Sequence, residues 1–173
     1  SIEIEKLESQ KQEYQDAIIV KYPAYSDCNN KKEFLERFDA NRYFSDGHSS
    51  NFGRLDYKDA LTIAEDIDSF FEMNPKMRGK LGYLEVKNMY YSGLSWPDHV
   101  ELDSKDFDGR SKWLTRRSAF HGRDAIDTQK QTIFHEYTHQ IDEYMSRKLG
   151  LKTHGFSQYV YEETVKRLKE SKS

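Results

Sequence analysis

From Asp127 to Leu149 the chain runs without a glycine or a proline and repeats apolar residues at helical steps. Phe134, Tyr137, Ile141, Tyr144, Met145 and Leu149, with Ile126 just ahead, fall on one stripe. Arg147 and Lys148 followed by Gly150 form a stop signal. A helix of this length draws most of its stability from packing such a stripe and little from propensity. The rest of the chain must therefore build a core against it, and the opposite side of the helix is left to face a cleft.

The material for that core lies mostly upstream. Residues 1–20 are polar, with Ile4, Leu7, Tyr14, Ile18 and Ile19 at roughly helical spacing, and predict an amphipathic helix that packs on one stripe. Lys31 to Ala40 predicts a short helix carrying Phe34, Leu35 and Phe38. Asn41 to Gly53 is rich in Ser, Asn, Asp and Gly and reads as loop. Asp56 to Met73 places Leu61, Ala64, Ile67, Phe70 and Phe71 at helical steps, and Asn74-Pro75 ends it. Leu81 to Val86 alternates as a strand does, Tyr90 to Trp96 suggests another, and His99 to Asp103 is a third with Val100 and Leu102 on one face. Ser104 to Arg123 is polar and loop-like. Phe156 to Lys169 predicts a last helix. Helices around a small sheet make an α+β arrangement. The expected division is an N-terminal helical extension over 1–55 packed on a domain over 56–173, forming one compact unit.

At 173 residues the chain is long enough to bury a substantial core. Its net charge is −3 with the signs mixed, and no basic stripe stands out, so no nucleic-acid partner is expected. No run approaches the length of a membrane span, so no membrane partner is expected. Cys28 is the single cysteine, which excludes an internal disulfide and is compatible with a reducing compartment.

Opposite the apolar stripe stand His135 and His139, separated by Glu136-Tyr137-Thr138. Chance placement of H-E-x-x-H in a chain of this composition is ~2%, so the context has to decide. Positions i and i+4 share a helix face, which lets both imidazoles reach one ion. Glu136 points about one residue's rotation away and can reach a water beside that ion without binding the ion itself. The bland reading is a polar helix face with two solvated histidines. Asp142, three residues after His139, is a candidate to orient that imidazole or an exposed surface acid.

His135-Glu-Tyr-Thr-His-Gln-Ile-Asp142 is similar to the active-site helix of zincin metallopeptidases. The wider context resembles the zincin-like domain of phage minor head (head morphogenesis) proteins and related polymorphic-toxin peptidases. That pattern has a helix ending near a proline, here Asn74-Pro75, and a short edge strand, here Val100-Glu-Leu-Asp103. An Ala119-Phe-His-Gly122 segment then precedes the motif helix. The resemblance covers about residues 56–170, and its specific part is H-E-x-x-H. It implies a zincin-like fold, Zn2+ as cofactor, His135 and His139 as metal ligands and Glu136 as catalytic base. It also implies a protein or peptide substrate, a phage or mobile-element origin, and a cytoplasmic or virion-associated setting. A catalytically silent phage-head or toxin module with the same motif is the alternative.

A catalytic zinc site takes a third protein ligand. Asp142 and Met145 stand where a metzincin would have its glycine and third histidine. Glu162 and Glu163 lie at a suitable distance, yet each also makes an i,i+4 pair, with Lys166 and Arg167, that reads as a surface ion pair. In the resembled family the third ligand falls in a later E-x-x-A-E-like segment, which would lie beyond Ser173. His154 is a weaker candidate.

Overall fold

The computed structural model describes residues 2–21, 25–112, 124–152 and 155–172. The fold is α+β. Helix α1 spans Ile2–Lys21, α2 Lys31–Ala40 and α3 Tyr57–Met73, followed by a 3-10 turn at Pro75–Met77. Strands β1 (Tyr83–Lys87), β2 (Gly93–Ser95) and β3 (His99–Asp103) follow, then α4 (Ser104–Phe107), α5 (Asp124–Lys148) and α6 (Phe156–Ser171).

The helix starts have local causes. Asn30 caps α2 by accepting from the Glu33 backbone N–H at 3.0 Å, and Glu33 reaches back to the Asn29 N–H at 2.7 Å. Asp56 caps α3 through the Lys58 N–H at 2.8 Å. Each cap satisfies a donor that the first helical turn leaves open. Gly150 takes φ +68° beyond the end of α5, a conformation that suits glycine at a helix stop.

The sheet order is β1-β3-β2, with β1 and β3 parallel and β2 antiparallel to β3. Leu84 and Val86 of β1 and Val100 and Leu102 of β3 all point into the core and are fully buried. By strand alternation the other face carries Tyr83, Glu85 and Lys87 opposite His99, Glu101 and Asp103. The core is aromatic: Phe34, Phe38 and Phe52 pack together and, through Tyr43 and Phe44, reach Phe71 of α3. Residues 25–55 thus share one core with α3, the sheet and α5.

Helix α5 is fixed to that core around the motif. Ile133 and Tyr137 are completely buried, and the Tyr137 ring stacks on Phe44 and leans on Phe70. Its hydroxyl donates to the Gly82 carbonyl at 3.3 Å. Gln140 accepts from the Gly82 N–H at 2.9 Å and donates to Ser95 Oγ at 2.8 Å and the Trp96 carbonyl at 2.5 Å. Ring and amide therefore bridge α5 to β1 and β2 and set its rotation.

The structure corrects several expectations. Ile4 and Leu7 of α1 are exposed; the side chains of Tyr14, Ile18 and Ile19 lie outside the described residues, as does that of Ile126. Leu149 is exposed, and Ile133, absent from the predicted stripe, is central to it. The loop expected from Ser104 begins as α4, and the turn after it is buried against α3. Asp59 accepts from the Gly109 and Ser111 N–H groups, each at 2.8 Å, and Arg110 pairs with Asp66 at 2.7 Å. Polar composition suggested solvent, but paired buried groups hold this turn. β3, expected as an edge strand, is the central strand, flanked by β1 and β2. No helix among the described residues is long and apolar enough to cross a membrane.

Candidate functional site

His135 and His139 stand one turn apart on α5 with their Nε2 atoms 3.1 Å from each other and their rings perpendicular. Two nitrogens at ~2.0–2.1 Å from one tetrahedral zinc stand about 3.3–3.4 Å apart. The pair is therefore already spaced to share an ion with almost no movement. His135 is exposed and His139 partly so, which leaves the pair reachable.

Glu136 is different. It is 8% exposed, turned toward the sheet and covered by β2. A Cβ placed on Gly93 would stand 2.9 Å from Glu136 Cγ and 3.2 Å from Thr132 Cγ2. The strand backbone thus passes directly over the glutamate, and a glycine makes that approach possible. Burial raises the Glu136 pKa above its ordinary value, while the two imidazoles pull it the other way. A carboxylate made more basic by desolvation is a better proton acceptor near neutral pH.

Glu136 and the histidines do not form one ligand set. Among the described residues no Asp, Glu, Cys or further His, Glu136 included, joins His135 and His139 within 4.8 Å. Glu162 is exposed on α6 and accepts from Gln158 Nε2 at 3.0 Å, and Glu163 is partly exposed beside it. His154 and the Ala119–Gly122 segment lie outside the described residues. Glu162→Gln and Glu163→Gln should each leave zinc affinity within about threefold in a calorimetric titration, because surface polar pairs contribute little. Loss of the ion on either substitution would make that carboxylate the third ligand.

Asp142 is neither exposed nor spare. It is buried, and its carboxylate accepts from the Ser157 N–H at 3.0 Å and lies 3.4 Å from Ser157 Oγ. Ser146 Oγ accepts from the Phe156 N–H at 3.0 Å. Together they cap the start of α6, where an anion also suits the helix dipole. Glu143, one turn beyond His139, was not singled out in the sequence. It is buried, and its Oε2 has no hydrogen-bond partner. The polar side of α5 is therefore largely enclosed between β2 and α6, with the histidine pair at its open part.

No protein-family model, no curated protein and no solved structure matches this chain.

Proposed function

We propose that this chain carries a zinc-dependent endopeptidase centre acting on a protein or peptide substrate. The observation that carries the reading is the 3.1 Å Nε2 pair with Glu136 beside it, tucked beneath Gly93. His135 and His139 would hold the metal and fit it in donor type and spacing. Bound zinc would polarise a carbonyl and make a water acidic enough to act near neutral pH. Glu136 would serve as the base that accepts a proton from an attacking water and passes it to the leaving amine. Its position off the His–His axis and its raised basicity suit that role and not ligation.

β2 gives the reading a place for substrate. It is an edge strand with no further strand on its outer side among the described residues. An extended peptide can add to such an edge through main-chain hydrogen bonds, which bind backbone without demanding a sequence. The same strand covers Glu136, so a peptide laid along it runs next to the base.

A second reading, a catalytically silent metal-binding module, is favoured by one observation: two of the three ligands of a catalytic zinc are accounted for among the described residues. Zinc-loaded protein incubated with an unfolded protein substrate separates the two. The peptidase predicts internal cleavage that stops on adding a chelator and returns with excess zinc. Zinc binding at the pair without cleavage of any peptide in a broad library would leave the silent module.

A further inference from the structure

The face of the sheet turned away from α5 holds a second group of metal-type donors. Glu85 of β1 and Glu101 of β3 are register partners on parallel strands, and His99 lies two residues before Glu101 on the same face. His99 Nε2 is 3.9 Å from Glu85 Oε2 and 3.6 Å from Glu101 Oε1. We infer that Glu85, His99 and Glu101 form a divalent-cation site, separate from the His135–His139 pair, for a borderline transition ion of the zinc or cobalt type.

Three features of the group point to a cation. Two carboxylates directly opposite on neighbouring strands repel each other. Lys87 answers Glu101 with a direct ion pair and acts on Glu85 only at longer range, while the ion-pair contact that Glu85 makes among the described residues is with the His99 ring. Next, Asp98 orients the imidazole. Asp98 Oδ1 lies 2.7 Å from His99 Nδ1, and a carboxylate can only accept, so Nδ1 donates to Asp98 and Nε2 is the ring nitrogen turned toward the two glutamates. This is the carboxylate–histidine arrangement that orients metal-binding imidazoles. The ring is also clamped, stacked on Tyr83 at 5.0 Å and on Trp96 at 6.3 Å.

The separations suit an ion. Donors ~2.0–2.2 Å from a tetrahedral centre stand about 3.3–3.6 Å apart. The 3.6 Å His99–Glu101 spacing stands at about the upper end of this range, and Glu85, the partly exposed member, can close the 3.9 Å His99–Glu85 spacing. Glu101 is buried, with Lys87 and the Trp96 indole both bonded to its carboxylate. Trp96 Nε1 donates to Glu101 Oε1, which keeps a second lone pair for the ion. One imidazole and two carboxylates leave open positions for water and match borderline ions better than soft ones. An ion here would tie β1 to β3.

The test uses the His135→Ala/His139→Ala protein, so that failure of the peptidase reading and failure of this one stay distinguishable. Titrated with Zn2+, and with Co2+ for its visible absorption, this protein should bind one ion per chain at saturation. Glu85→Gln added to it should weaken binding at least about tenfold, since even indirect support of a ligand is worth 10–100-fold. That substitution is isosteric at a partly exposed site, and an unchanged thermal melt of the metal-free protein checks the fold. Lys87→Met should tighten binding, because the ammonium competes for Glu101. Absence of saturable binding in the double variant overturns the site. So does binding that Glu85→Gln leaves unchanged.

Discussion

His135→Ala and His139→Ala should each remove zinc from the α5 site. In a Glu85→Gln background, which weakens the sheet-face group, the protein should hold one tightly bound zinc per chain at the α5 pair. Either alanine should lower affinity at least about a hundredfold, the upper range for indirect support of a ligand and so a floor for a ligand itself. The reason is geometric. Two Nε2 atoms 3.1 Å apart act as a pair, and one imidazole alone is an ordinary surface donor. Folding should hardly change, because His135 is exposed, His139 is partly exposed, and alanine is the better helix former. Elemental analysis after gel filtration, with a thermal melt of the metal-free protein, reads both quantities. If either alanine variant kept its zinc, the ion would not be held by the pair.

What the sequence made legible follows from which interactions are local. The period of α5 needs only the chain's own spacing, and so does the placement of His135 and His139 on one side of it. The inward face of Val100 and Leu102 followed from alternation for the same reason. The central place of β3 did not, because strand order depends on which segments pair across the chain, and β1 and β3 are parallel neighbours with β2 between them in sequence. Nor did the burial of Asp142 and Glu143. Asp142 reads from the sequence as an acid that either orients His139 or faces solvent, and its capping role exists only once α6 folds against α5 and brings it the Ser157 N–H. Ile133 lies one turn before Tyr137 and shares its complete burial. The Glu85–His99–Glu101 group was invisible for a related reason. His99 and Glu101 are close in sequence, but Glu85 joins them only through the parallel register Glu85↔Glu101. A glutamate at an alternating strand position was the one available hint.

Glu136→Gln should keep the metal and the fold and lose the chemistry. Glutamine has the shape of glutamate, so it fits the same space under Gly93. It cannot take a proton at neutral pH. Loss of a positioned general base typically lowers the rate by ~10²–10⁴, or about 3–5 kcal/mol of barrier. Zinc affinity should stay near that of the parent, because Glu136 does not join the two histidines as a ligand within 4.8 Å. The separation of the two effects is what identifies the role. A residue that merely shaped the cleft would be expected to weaken substrate binding and leave kcat largely intact, whereas a base lowers kcat and kcat/KM together. Peptide cleavage measured over a range of substrate concentration, with zinc content determined on the same sample, reads all three quantities. If Glu136→Gln shed zinc as completely as a histidine variant, Glu136 would be a ligand; if it cleaved at the parent rate, the base would be another group.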